Sequence, residues 1–353
     1  MIPRLVSLRR LMEEKTAVAA PELTRVEDNG TVRCLACAHR CMIAPEKHGV
    51  CHVRFNRDGD LRVPHGYVSS LAVDPIEKKP FYHVIPGARA MSFGMLGCNF
   101  HCPFCQNWMT SQTLRDEQAV AEPHLVSPEH VVELALEHRC PILTSTYNEP
   151  LITTEWAVEI LKLGKRHGLR GAYVSNGYAT PEALEYIRPY VEFINVDLKT
   201  FEDKTYHKLG AGLENVLEAI RMMKRMEFWI EVITLVVPGM NDSDEELRRT
   251  ADFLVEVSPD LPWHVTAFHP TYRMVEPPRT PPETLYRAHQ IGKTAGLRHV
   301  YTGNAPGMPE TENTYCPQCG ETVIERRGFA VEVDRLEAGA CAKCHAKIAG
   351  RWE

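Results

Sequence analysis

Long apolar runs are missing from this 353-residue sequence. No stretch reaches the ~18 residues that a bilayer-spanning helix needs, so a membrane span is not expected. The opening residues, Met1-Ile2-Pro3-Arg4-Leu5 running to Arg9-Arg10, lack the apolar core and small-residue cleavage site of a secretory leader. An excess of positive charge is missing too. Lys+Arg is 40 against Asp+Glu 46, a net charge of −6, whereas broad nucleic-acid binding wants a basic face. Internal repeats and low-complexity tracts are absent. Hydrophobic residues make up 44%, enough for one large domain with small attachments or for two domains.

What the chain does have is cysteine, 12 in all. They fall into three groups and one solitary residue: Cys34, Cys37, Cys41, Cys51; Cys98, Cys102, Cys105; Cys140; and Cys316, Cys319, Cys341, Cys344. A disulfide framework is not expected in a chain of this size without a leader. The reading is a reducing, cytoplasmic setting and metal sites, with Cys140 a buried thiol.

The middle group, in Gly97-Cys98-Asn99-Phe100-His101-Cys102-Pro103-Phe104-Cys105, is C-x3-C-x2-C. A cubane iron–sulfur cluster has four irons, each wanting a thiolate. Three local thiolates leave one iron open, and open positions are what catalytic metal sites keep. The plainer alternatives are a zinc knuckle that borrows a fourth ligand, or three buried thiols. Zinc sites usually draw their cysteines from two separated hairpins, and here all three crowd one loop.

The C-terminal group is two C-x2-C pairs, a strong pattern for a four-thiolate zinc ribbon, although rubredoxin-type iron fits the same ligands. Its metal would be structural, because so short a module buries little core of its own. The N-terminal group, C-x2-C-x3-C-x9-C, is less regular. It admits zinc, a second iron–sulfur cluster or unmetallated thiols, with His39 and His48 as alternative ligands.

Between the groups, apolar strands alternate with amphipathic helices. Strands are expected at 90–96, 142–146, 171–175, 191–197, 228–236 and 263–268, with a seventh at 298–302; helices at 128–138, 154–167, 181–188, 214–226, 243–257 and 282–295. Leu5 to Glu14 forms a further short helix on this reading. Ser127-Pro128-Glu129 and Ser243 ahead of Asp244-Glu245-Glu246 read as helix starts, and Gly168 and Gly296 as stops. Such alternation implies α/β architecture with a parallel sheet. Six units are too few for the closed eight-fold barrel. They fit an open partial barrel or a doubly wound sheet, and in both the ligand sits at the C-terminal strand ends. The cysteine triad follows the first strand and therefore lies at that end. The expected division is 1–85, a cysteine-rich metal-binding lobe; 86–307, the α/β barrel; and 308–353, the ribbon-like module.

The triad, with Phe104 before its last cysteine, resembles the radical SAM superfamily. That resemblance implies a partial (β/α)6 TIM-type barrel and a [4Fe–4S] cluster whose open iron chelates S-adenosylmethionine (SAM). It implies reductive cleavage of SAM to methionine and a 5′-deoxyadenosyl radical that abstracts hydrogen from a substrate. Tyr147-Asn148-Glu149-Pro150 stands where the family usually has Gly-Gly-Glu-Pro, a stretch that meets the SAM amino group; Glu149 and Pro150 match and the glycines do not. Ser175 and Asn176 resemble the Thr-Asn-Gly strand end of related enzymes, with Val174 where activases often carry an acid. Asp197 and Lys199 look like the Asp-x-Lys of pyruvate formate-lyase activases, implying a lysine for the SAM carboxylate. His269 is similar to the histidine that reaches the ribose, and Asn304 lies at the same mouth.

More narrowly, Asp74 to Pro80, Tyr147 to Pro150, His269 to Arg273, Thr302 to Gly307 and both flanking cysteine groups resemble the AmmeMemoRadiSam-system radical SAM enzymes. These are homologues of pyruvate formate-lyase activating enzyme. The resemblance implies Memo-like and AMMECR-like partners and a flavodoxin or ferredoxin reductant, and leaves the substrate unnamed. The competing readings are an activase acting on a protein glycine, and a non-enzymatic iron–sulfur or zinc-ribbon protein.

Overall fold

Alternating strands and helices build one eight-stranded sheet in the computed structural model, which describes residues 3–305 and 307–353. Met1 and Ile2 of the opening segment, and Pro306 of the Thr302–Gly307 turn, lie outside the described residues. The strands are β1 (Ser70–Pro75), β2 (Arg89–Gly94), β3 (Ile142–Ser145), β4 (Arg170–Ser175), β5 (Phe193–Asp197), β6 (Trp229–Val236), β7 (Trp263–Ala267) and β8 (Val300–Gly303). They lie side by side in chain order. β2 to β8 are parallel, and β1 runs antiparallel to β2. The order never reverses, so the sheet has no switch point of the doubly wound kind. Strands β1 and β8 are its two edges.

All seven strands expected from the sequence are present, within a few residues of their expected bounds. Strand β1 was not expected. It begins upstream of residue 86, so the sheet takes its first strand from the segment read as a separate lobe. Four of its six residues are half-buried, which erases the two-residue alternation that marks a strand.

Between the strands run α1 (Pro128–Glu137), α2 (Thr154–Arg166), α3 (Pro181–Ile187), α4 (Asp203–Leu209), α5 (Leu213–Arg225), α6 (Asp244–Val257) and α7 (Pro282–Ala295). Of these only α4 was unforeseen, as was a single turn of helix after the triad, Trp108–Ser111. The starts are capped by side chains: Ser127 Oγ accepts from His130 N at 3.2 Å, Thr180 Oγ1 from Ala183 N at 3.1 Å, and Ser243 Oγ from Glu246 N at 3.2 Å. Gly296 ends α7 in the left-handed region, φ 115°. Trp156, Ile160 and Leu161 of α2 are buried against the sheet. A further helix, Pro3–Glu14, covers the segment expected to be helical near the start.

Two small modules flank this unit. Before β1, short strands form two three-stranded sheets that carry the first cysteine group. They are tied to α2 by a buried ion pair. Arg54 donates Nη1 to Glu155 Oε1 at 3.1 Å and Nε to Ile152 O at 2.8 Å, and its Nη2 meets Glu155 Oε2. After β8, strands Thr314–Tyr315, Thr322–Arg327 and Ala330–Asp334 form a third small sheet. Its core is Cys316, Val323, Ile324, Cys341 and Ile348.

Segment 81–85 joins this last module to the large sheet. Ile85 N donates to Arg351 O at 2.8 Å, Arg351 N to His83 O at 2.7 Å, and Arg326 Nη2 to Tyr82 O at 2.6 Å. Beneath it, fully buried Glu231 accepts from Tyr82 N, His83 N and Trp229 Nε1 and pairs with His264 Nε2 at 2.7 Å.

Removing one partner of a buried ion pair strands the other charge, at about 3–5 kcal/mol. Glu155→Ala should lower the free energy of unfolding by that amount, read as a lower midpoint of chemical unfolding, and Arg54→Met/Glu155→Leu should recover much of it. An unchanged midpoint in Glu155→Ala would show that the pair does not hold the N-terminal module.

Candidate functional site

In a parallel sheet all strands end on one side, and here a cavity of about 190 Å³ lies at those ends. Cys98, Cys102 and Cys105 line it from the loop after β2, together with Phe104. Tyr147, Asn148 and Glu149 enter after β3, Asn176 after β4, Asp197 and Lys199 at the end of β5, and Asn304 after β8. Ile233, Leu235 and Thr266 supply further wall from β6 and β7. Val174 also lines the cavity.

Two expected residues lie elsewhere. Ser175 does not face the cavity; its hydroxyl donates to Glu149 Oε1 at 2.7 Å. His269 lines a second, larger cavity of about 1210 Å³, which also takes in Arg279, Arg326 and Glu312. Gln106 and Asn304 line both cavities, so the two adjoin. His269 Nε2 lies 3.4 Å from Asn304 O.

Glu149 is buried and forms no ion pair among the described residues. Its carboxylate accepts from Ser175 Oγ at 2.7 Å, Asn176 N at 2.8 Å and Leu151 N at 3.0 Å. Burial raises its pKa to about 7 despite those donors.

Lys199 Nζ pairs with Asp197 Oδ2 at 2.9 Å. Burial works against its ammonium, yet the Asp197 carboxylate holds its pKa above the usual lysine range. Burial pushes all three triad thiols up, Cys102 to about 12. A metal centre must therefore draw off their protons as it binds.

Sulfur spacing separates the cysteine groups. In the C-terminal group, Cys316 Sγ lies 3.5 Å from Cys344 Sγ and Cys319 Sγ 3.8 Å from Cys341 Sγ. All four sulfurs are within 4.8 Å of one another. One tetrahedral ion with sulfur at ~2.3 Å demands sulfurs about 3.8 Å apart, so this group fits a single ion. No other three ligand atoms among the described residues meet that 4.8 Å condition, the triad included. Thiolates that each bind a separate iron stand farther apart than thiolates around one ion, and the triad is set more widely than the C-terminal group.

Three supports were not anticipated from the sequence. Tyr147 takes φ 72°, the left-handed region that glycine adopts freely. The family's glycine at this position is thereby explained. Here the turn is held by the side chain: Tyr147 Oη donates to Asp74 Oδ2 at 2.7 Å, and Lys79 Nζ lies 4.4 Å from the ring centroid and 2.6 Å from Asp74 Oδ2. Burial opposes the Asp74 carboxylate, but hydrogen bonds from Lys78, Lys79 and Tyr147 hold its pKa below the usual range. The charged run Asp74-Pro75-Ile76-Glu77-Lys78-Lys79 was the available signal. Asn99, fully buried, accepts from Asn176 Nδ2 at 2.7 Å. Ser111 Oγ lies 3.2 Å from Cys105 Sγ. Neither has a sequence signature beyond standing near the triad.

The sequence profile of the Radical SAM superfamily matches residues 94–254, the span that holds the triad, Glu149 and Lys199. An uncharacterised protein of Methanocaldococcus jannaschii is 38% identical over 325 residues, 91% of this chain and 96% of that protein. The chain belongs to the radical SAM superfamily. Membership carries a [4Fe–4S] cluster and SAM with it. The pyruvate formate-lyase 1-activating enzyme of Escherichia coli K12 is 24% identical over 61% of this chain and 93% of its own length. Among solved structures, a radical SAM methyltransferase from Sphaerobacter thermophilus aligns over 88% of this chain and 85% of its own, with TM-score 0.49 and 14% identity. No helix among the described residues of this radical SAM protein is long and apolar enough to cross a membrane.

The raised pKa of Glu149 fixes the sign of a pH effect. Between pH 4.5, its ordinary value, and about 7, the folded protein keeps a proton that the unfolded chain has released. Stability therefore falls as pH rises through this window, by at most roughly 3 kcal/mol. In SAM-free protein, Glu149→Gln should flatten the dependence of Tm on pH between 4.5 and 7; an unaltered slope would show that Glu149 is not its source.

Proposed function

We propose that this radical SAM protein generates a 5′-deoxyadenosyl radical and uses it to abstract hydrogen from an organic substrate held in the second cavity. The observation that carries this reading is a pair of adjoining cavities. The cavity with the triad, Glu149 and Lys199 adjoins the larger one through Gln106 and Asn304.

Cys98, Cys102 and Cys105 would hold three irons of the cluster and leave the fourth for SAM. When bound, cluster and SAM supply one-electron cleavage of a sulfonium C–S bond, giving methionine and the radical. The chain's own residues bind and orient. Glu149, fixed by Ser175 and Asn176, offers carboxylate oxygens to an ammonium, with Tyr147 and Asn148 setting the turn. Lys199, steadied by Asp197, offers an ammonium to a carboxylate. Phe104 and Asn176 form walls of the same pocket, and His269 stands at the junction with the larger space. A volume above ~1,000 Å³ exceeds what most small ligands fill, so an extended molecule or a short peptide segment suits it.

The second reading is an activase that takes hydrogen from a protein glycine. Its support is the relatives named as activating enzymes for pyruvate formate-lyase and isethionate sulfite-lyase. A ferredoxin or flavodoxin would supply the electron in a cytoplasmic setting. Memo-like and AMMECR-like proteins are the partners to try first. We assign 86–307 to the partial (β/α)6 TIM-type barrel, to which β1 is added at one edge, with 1–85 and 308–353 as its metal-binding attachments. Zinc is the ion we assign to Cys316, Cys319, Cys341 and Cys344.

Anaerobically reconstituted protein with dithionite should release 5′-deoxyadenosine and methionine from SAM, and Cys102→Ala should not; no cleavage by the wild type would end the enzyme reading. Lys199→Ala should weaken SAM binding about tenfold, the loss of about 1.4 kcal/mol expected from one charge-assisted contact, and equal affinity would remove Lys199 from the site. Metal analysis should find one zinc that survives Cys102→Ala and leaves with Cys341→Ser.

A further inference from the structure

We propose that Cys34, Cys37, Cys41 and Cys51 bind a second iron–sulfur cluster, closed by four thiolates, and not zinc. The argument uses the other two cysteine groups as internal standards. The C-terminal group, whose sulfurs are all within 4.8 Å, has single-ion spacing. The triad, which superfamily membership assigns to a cubane, does not meet that condition. Among the described residues the N-terminal group does not meet it either.

The four N-terminal thiols nevertheless share one neighbourhood. Cys34 N donates to Cys41 O at 3.0 Å, setting the two residues opposite each other. The turn closed by Arg40 N to Cys37 O at 3.0 Å brings Cys37 beside them. The turn of Cys51 returns through Gly49 N to Arg54 O at 2.8 Å, and a Cβ built on Gly49 would lie 3.5 Å from Cys41 Sγ. Arg54 Nη1 then stands 3.9 Å from Cys34 Sγ. Four cysteines held in one neighbourhood, no three of whose sulfurs meet the single-ion condition, suit four separate irons.

The alternative ligands are engaged elsewhere. His39 Nε2 lies 3.1 Å from Asn99 O, with its ring against Tyr178. His48 packs on Phe55 and approaches Glu13. Glu155 is taken by Arg54. The ligand set is therefore the four thiolates, no iron is left open, and the chemistry of such a cluster is to store and pass electrons.

Its placement suits that role. Ala38 N donates to Tyr178 O at 2.9 Å, and Arg115 Nη1 to Phe100 O at 3.0 Å while its Nη2 reaches Val50 O. The N-terminal turns thus rest directly on the triad loop and on the loop after β4.

The test is a full-length Cys98→Ala/Cys102→Ala/Cys105→Ala variant reconstituted anaerobically with iron and sulfide. It should keep about four irons and four sulfides per chain and show an EPR signal on reduction, and both should disappear when Cys37→Ser and Cys51→Ser are added. A triple variant that is folded by circular dichroism but holds no iron, with a second zinc in its place, overturns the proposal. If the triple variant does not fold, the wild type decides. About eight irons per chain, with SAM altering only one of two reduced-cluster signals, supports a second cluster; iron for one cluster alone overturns it. Wild type that holds both clusters and cleaves no SAM would fail the enzyme reading and leave this one standing.

Discussion

The mouth of the sheet depends on one buried carboxylate. Glu149 gathers a hydroxyl and an amide from the end of β4 and an amide from its own loop, so two adjacent strand ends are set by a single side chain. A buried acid without a cationic partner is costly to ionise, and its elevated pKa records that cost. Such a group is poised for a ligand that brings positive charge with it, because the ligand completes a pair the protein leaves half-made. The chain reaches Glu149 only through the left-handed turn at Tyr147, and that turn is held from outside the cavity by Asp74 and Lys79. The charged run before β2 therefore works at a distance, through the backbone.

The same economy of charge governs the other wall. Lys199 and Asp197 neutralise each other across 2.9 Å, so the ammonium is kept in a buried place without needing the ligand. A carboxylate entering there competes with Asp197 and does not start from an isolated cation. One wall is thus incomplete until loaded and the other is complete beforehand.

Much of this was legible in the sequence where physics leaves a local mark. Capped helix starts at Ser127 and Ser243, stops at Gly168 and Gly296, and largely apolar strands such as Ala90 to Gly94 announce themselves over a few residues. The triad did so through spacing, and the ribbon through its paired C-x2-C. Strand β1 was missed because an edge strand half-covered on both faces shows no two-fold pattern. Helix α4 was missed because seven residues with four charged or basic side chains look like a loop. Ser175 had the right neighbourhood and the wrong orientation, for spacing gives a residue's strand but not whether it faces ligand or scaffold. The Tyr147 clamp joins residues 68 and more positions apart, and nothing local signals such a meeting.

The junction at segment 81–85 bears on how the chain is made. Its backbone pairs with Arg351, and its His83 ring with Ala349 O at 2.6 Å. Those partners stand far along the chain, 266 positions beyond His83 in the case of Ala349. Until they emerge, segment 81–85 above Glu231 lacks its pairing with Arg351 and Ala349, so the lower end of the sheet is finished only when that distant segment has been made. The sheet's ligand end has no such debt, since each of its strand ends is complete by residue 305. The order of the chain thus separates formation of the upper end from the locking of the lower one.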